Sequence, residues 1–122
     1  MGILFLILGL CAWLMYRNYQ GLPLITVVNN SANEMRNVVL SGPGWSSSIP
    51  VLEPAQSTTV FVQPKGESGL KISFQTSTES VEKDDLAYIE TRGGYCVTLT
   101  IAPDLTITSE GGQPCFSLRR AV

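Results

Sequence analysis

Histidine is absent from all 122 residues of the chain. That removes the commonest general base and the commonest metal ligand together, and with them most familiar catalytic constellations. Basic residues are scarce as well: eight Lys and Arg stand against ten Asp and Glu, for a formal net charge of -2 and a pI near 5.0. The one adjacent basic pair is Arg119-Arg120. Phosphate binding needs clustered cations, so no nucleic-acid partner is expected. Cysteine is limited to three residues, Cys11 in an apolar N-terminal run and Cys96 and Cys115 in the remainder. The length leaves room for one domain of about 100 residues plus an appendage, which is enough chain to bury a workable core.

The appendage is the run ILFLILGLCAWLMY, Ile3 to Tyr16, closed by Arg17. With Met1 and Gly2 it makes a helix of roughly 24 Å, to be set against a hydrocarbon core of roughly 30 Å. The sequence reading is an uncleaved membrane anchor over residues 1–20. Ile3, Leu4, Phe5, Leu6, Ile7, Leu8, Leu10, Trp13, Leu14 and Tyr16 form its apolar body, Arg17 snorkels, and Trp13, Tyr16 and Tyr19 suit an interfacial belt. A cleaved secretory signal lacks support because the n-region has no Lys or Arg and no A-x-A site follows. Lipidation of Cys11 would need a small residue before it, where Leu10 stands. A buried helix of a soluble core would be apolar on one stripe rather than all round.

Residues 21–122 alternate short β-branched and aromatic runs with turn chemistry. The candidate strands are 24–29, 36–41, 57–63, 70–75, 86–91, 95–101 and 105–110, with a weaker one at 45–51. Between them NNSANE, GPG, EPAQ, PKGESG, KDD, RGG and PD supply the Gly, Pro, Asn and Asp of chain reversals. A spacing near ten residues with no helical period between predicts an all-β antiparallel sandwich of about seven to eight strands with a C-terminal tail. Period-two alternation assigns Leu70, Ile72, Phe74, Tyr95, Val97, Leu99, Ile101, Leu105 and Ile107 to the core. Ile25, Val27, Val38, Leu40, Val60 and Val62 join them, with the VV and VFV runs leaving register open.

The stretch ITVVNNSANEMRNVVLSG followed by LEPAQSTTVFV resembles the opening strands of immunoglobulin-like and fibronectin-III-like modules of bacterial envelope proteins. The resemblance covers about residues 24–62, and Ala55-Gln56 stands where those modules carry a glycine in the turn. It implies a sandwich fold and the generic habit of binding through loops or edges, and fold alone does not confer function.

No constellation rises to chemistry. The acidic stretch ESVEKDD, with Glu79, Glu82, Asp84 and Asp85, lacks the spacing of a calcium loop and reads as a solvated turn. Glu53, Glu67 and Glu90 are scattered. Ser46-Ser47-Ser48 would have only lysines for a base, and PKGESG has the wrong glycine spacing for a phosphate loop. Asn29-Asn30-Ser31 matches a glycosylation acceptor, a pattern that also arises by chance. Trp45, Ser46 and Ser47, in SGPGWSSSIP, are the candidate partner contact, since an exposed Trp is a frequent interface anchor; the plainer role for Trp45 is to cap the core.

Cys96 falls on the polar face of its strand with Thr98 and Thr100. A hairpin about Pro103-Asp104 would set it opposite roughly residue 109, and a reversal at Gly111-Gly112 would bring Cys115 alongside. A Cys96–Cys115 disulfide is therefore expected, and it implies an oxidising compartment. Arg17 taken alone favours a cytoplasmic domain by the positive-inside rule. The cysteines outweigh it, so the expected location is a single-pass membrane protein with an extracytoplasmic domain. The functional expectation is a non-catalytic, membrane-anchored binding or scaffolding module of the cell envelope, with another envelope or membrane protein as partner and neither cofactor, metal nor small-molecule substrate. A membrane-tethered immunity or phage-exclusion protein and a structural subunit of a membrane complex are the alternatives.

Overall fold

The computed structural model describes residues 2–19, 21–65 and 68–115, without the side chains of residues 18, 19, 113 and 114. Arg119-Arg120, Glu67, part of PKGESG, the C-terminal tail and the Tyr19 side chain lie outside the described residues. Helix α1 (Gly2–Tyr19) precedes ten strands: β1 (Leu24–Asn29), β2 (Met35–Gly42), β3 (Trp45–Leu52), β4 (Ser57–Phe61), β5 (Ser68–Gly69), β6 (Lys71–Gln75), β7 (Ser80–Lys83), β8 (Tyr88–Ile89), β9 (Tyr95–Ile101) and β10 (Ile107–Pro114).

The membrane-anchor expectation is corrected. Among the described residues no helix is long and apolar enough to cross a membrane. Ile3 to Tyr16 supplies only fourteen uncharged residues before Arg17, about 21 Å of helix against about 30 Å of hydrocarbon. Single-pass anchoring by Ile3, Leu4, Phe5, Leu6, Ile7, Leu8, Leu10, Trp13, Leu14 and Tyr16 is therefore not supported, nor is the tethered location built on it. The helix itself forms as its Leu content favours. Most of its apolar side chains are exposed, with Ile3 and Leu6 each at 74%, and the Arg17 guanidinium stacks over the Trp13 ring at 5.3 Å.

The strands form three sheets, ordered β10-β9-β1-β4, β3-β2-β6-β7 and β5-β8. Inward-facing residues of the two four-stranded sheets make one core: Ile25, Val27, Val97, Leu99, Ile101 and Ile107 from the first, Met35, Val38, Leu40, Ile49, Leu52, Ile72 and Phe74 from the second. Ten strands replace the expected seven or eight, and the pairing is not wholly antiparallel. β1 lies antiparallel to β4 but parallel to β9, with Leu24 opposite Cys96 and Asn29 opposite Ile101. A parallel pair needs a long crossover, and nearly the whole domain, residues 30–94, supplies it.

Local departures have local causes. Asn37 takes φ 50°, a left-handed value Asn tolerates, and the β2–β6 register shifts between Arg36 and Val39. That bulge is why Met35, Val38 and Leu40 all point inward without strict alternation. The acidic stretch 79–85, expected as a turn, holds β7. Val81 lies opposite Phe74 and packs on the core, and Glu82 forms a salt bridge to Lys71. The strand expected at 86–91 shrinks to Tyr88–Ile89, and its pairing with the 68–70 segment is carried on outside it by Leu70 N–H donating to Ala87 O and Leu86 N–H to Leu70 O, both at 3.0 Å.

Candidate functional site

At one end of the first sheet, Cys96 and Cys115 form the expected disulfide, with Cα atoms 5.8 Å apart. The route differs from the expected one. The chain does not double back at Gly111-Gly112: β10 continues through them, with φ 93° and 83°, as a bulge that sets Gln113 rather than residue 109 opposite Cys96. Glycine is required at 111, where a Cβ would stand 2.4 Å from the Cys96 carbonyl oxygen. The Cys115 N–H then donates to Gly94 O at 2.9 Å, and the Gly94 N–H to Gly21 O at 3.1 Å. The bridge thus gathers the entry to β1, the loop before β9 and the end of β10. Cys11 carries an exposed free thiol.

The β2–β3 hairpin places the candidate contact residues. Gly42 pairs with Trp45 around Pro43-Gly44, and Gly44 has φ 76°, the geometry that favours Pro then Gly at the centre of a type II turn. Trp45 is half-buried against the core, and its Nε1–H donates to Ser68 Oγ at 2.9 Å. A Cβ on Gly42 would meet Ser68 Oγ at 2.3 Å and Trp45 Nε1 at 2.4 Å, so only glycine lets the indole lie down there. Ser46 and Ser48 are exposed on β3 and Ser47 is half-buried. A cleft of about 460 Å³ beside this hairpin is lined by Gly42, Gly69, Lys71, Asp84 and Asp85 among others.

At the opposite end of the β2–β3 ladder the acceptor-like Asn29 turns out to be structural. It is fully buried. Its Nδ2 donates to Asn33 O at 2.8 Å and Leu52 O at 3.0 Å, while Oδ1 accepts from Ser31 N at 3.0 Å and Ser31 Oγ at 2.6 Å. An amide with two donors and two lone pairs is then saturated, and no room remains for a glycan.

Two carboxylates that look scattered in the sequence meet here. The carboxyls of Glu34 and Glu53 lie close together beside Arg36. The contact with Arg36, then that with Glu53, holds Glu34 below the ordinary carboxylate range; the Glu34 contact raises Glu53. Glu53 is exposed and Glu34 half-buried, so water screens the pair. Sequence spacing gave no sign of this meeting, which depends on the turns at 30–34 and 53–56 packing side by side. Among the described residues no group of three or more Cys, Asp or Glu is placed to hold a metal ion. No buried side-chain polar atom among them lacks a hydrogen bond.

No family model and no curated protein matches the chain. Among solved structures, an NMR structure of a protein from Eubacterium rectale aligns with a TM-score of 0.47 at 12% sequence identity, covering 75% of this chain and 89% of that one.

Proposed function

We propose that the chain is a non-catalytic binding or scaffolding module that joins a larger protein assembly through its N-terminal helix. One observation carries the reading. The β domain completes its core without the helix, while Ile3, Phe5, Leu6, Met15 and Tyr16 are each at least 65% exposed. A helix apolar on every face is stable in water only when other apolar surface surrounds it. The surrounding is helices of partner subunits, since a single flat contact would cover one face only. The disulfide fits a part that works under oxidising conditions.

The test compares the full chain with a Leu6→Gln, Ile7→Gln, Leu10→Gln variant, each purified from the cells that make it. The expected result is that the unaltered chain travels in a larger complex with partner chains in fixed stoichiometry, and that the variant keeps its β-sheet circular dichroism but loses them. Identical mass and composition for the two would overturn the reading.

A further inference from the structure

The two lateral sides of the β domain are built differently. On one side run the edge strands β7 and β10. β7 carries Glu82 and Lys83, β10 carries Glu110 and the Gly111 bulge, and Lys83 Nζ donates to Ile107 O at 3.0 Å across the gap. Charges, a bulge and cross-ties are the means by which sheet edges avoid pairing with other chains. On the other side run β3 and β4. β3 is an eight-residue edge, Trp45-Ser-Ser-Ser-Ile-Pro-Val-Leu52, without one charged side chain.

Hydrogen bonding alternates along an antiparallel ladder, so the open positions of β3 are identifiable. Gly42 and Trp45 close a two-residue turn and form a hydrogen-bonded pair. Odd-numbered residues from Trp45 to Ile49, which also face the core, therefore bond to β2, and Ser46, Ser48 and then Pro50 turn their backbone groups outward. One observation agrees: Pro50 stands where a missing N–H costs the ladder nothing. The outward groups left are N–H and C=O of Ser46 and Ser48 and the Pro50 carbonyl.

We propose that a second copy of this chain docks antiparallel on β3 about a two-fold axis at Ser47. In that register Ser46 faces Ser48 of the partner subunit, and the reciprocal pair forms with it, giving four backbone bonds that use every outward N–H between Trp45 and Ile49. Trp45 lies beside Ile49 of the partner subunit on the core-facing side, an aromatic and β-branched pair of the kind that stabilises sheets. Ser47 faces its own equivalent, which a two-fold axis demands and which a charged residue could not do without like-charge repulsion. The stops at each end coincide too: the Pro43-Gly44 turn of one copy falls where Pro50 of the partner subunit ends the pairing. A self-complementary strand with matched stops fits a second copy better than an unrelated peptide, and the contact is isologous.

The contact is independent of the helix, so its test separates from the preceding one. Single cysteines at Ser46, Ser47 and Ser48 are introduced into the full chain carrying Cys11→Ser and mildly oxidised. Ser47→Cys is expected to cross-link to itself about tenfold faster than either neighbour, because equivalent residues on the axis approach to about 4.5 Å. The same preference is expected in the helix-substituted variant. Ser46→Lys with Ser48→Lys is expected to abolish the dimer in sedimentation with unchanged circular dichroism. Equal rates at the three positions, no self-cross-linking at Ser47→Cys, its cross-linking to a different protein instead, or a dimer that survives the two lysines would each overturn the proposal.

Discussion

Asn29, at the end of β1, holds Leu52, at the end of β3, through a 3.0 Å bond from its side-chain amide to the Leu52 carbonyl. The same residue binds the 53–56 turn through its backbone, accepting from Ala55 N–H at 2.8 Å and donating to Gln56 O at 3.0 Å. One buried amide thus joins the two sheets at the end where both edge strands turn. Asn29→Ala leaves the Leu52 carbonyl without its side-chain donor and the Ser31 N–H without its acceptor inside the fold, while the Asn33 carbonyl keeps only Ser31 Oγ. The expected loss is about 3 kcal/mol, from several buried hydrogen bonds broken at once, read as a lower urea midpoint at unchanged slope.

Ala55 sits at φ 67° in that turn. A left-handed backbone costs an L-residue about 1–2 kcal/mol, and glycine returns part of that through greater freedom in the unfolded chain. Ala55→Gly is expected to stabilise by about 0.5–1 kcal/mol on balance. A thermal melt that shifts downward would show that the methyl group makes a contact worth more than the strain.

Asp104 caps the β9–β10 hairpin, its Oδ1 accepting from Thr106 N–H at 3.1 Å. That bond holds the Asp104 carboxyl below its ordinary value of 3.8. Because the folded value is the lower one, the contribution to stability is fully present above the unfolded value and disappears as pH falls through the folded one. Asp104→Asn keeps an oxygen for the Thr106 N–H but has no proton to lose. Its urea midpoint is expected to vary less than that of the unaltered chain between about pH 5 and pH 2, and a carboxyl titration followed by NMR locates the midpoint directly.

Removing the Cys96–Cys115 bridge, with a sequence separation of 19, frees the end of β10 in the unfolded chain. Cys96→Ala with Cys115→Ala is expected to cost about 3 kcal/mol by the loop-entropy relation. Comparing melts with and without reductant checks it, and the double variant should be insensitive to reductant.

How much of this was legible depends on what each element rests on. β1 and β9 were readable to the residue, since LITVVN and YCVTLTI are β-branched, alternating and bounded by turn residues. Val38 and Leu40 were correctly placed inside, yet Met35 was missed because the Asn37 bulge shifts the phase, and a bulge leaves no mark in the hydrophobic pattern beyond one Asn. β7 was hidden by its charges, which look like a turn but belong to an edge strand. The Cys96–Cys115 pairing was foreseeable from the side of the sheet that Cys96 occupies, whereas the path of β10 depended on how Gly111 and Gly112 bend. Nothing in the spacing of Glu34 and Glu53 announced that they touch. The outward edge of β3 was invisible for a similar reason: WSSSIPVL reads the same whether or not another strand lies beside it.

The parallel pairing of β1 with β9 also orders events in time. As the chain leaves the ribosome, β1 emerges early, yet the neighbour that covers one of its two flanks is not made until Tyr95–Ile101 has been synthesised. Contacts so distant in sequence are slow to form, and until they do, the backbone of β1 has β4 alone to pair with. The first sheet is therefore completed only once Tyr95–Ile101 is available, and the Cys96–Cys115 bridge then closes over it. A pause or premature stop before Tyr95 would leave an open strand of high β-propensity for chaperones or proteases to find.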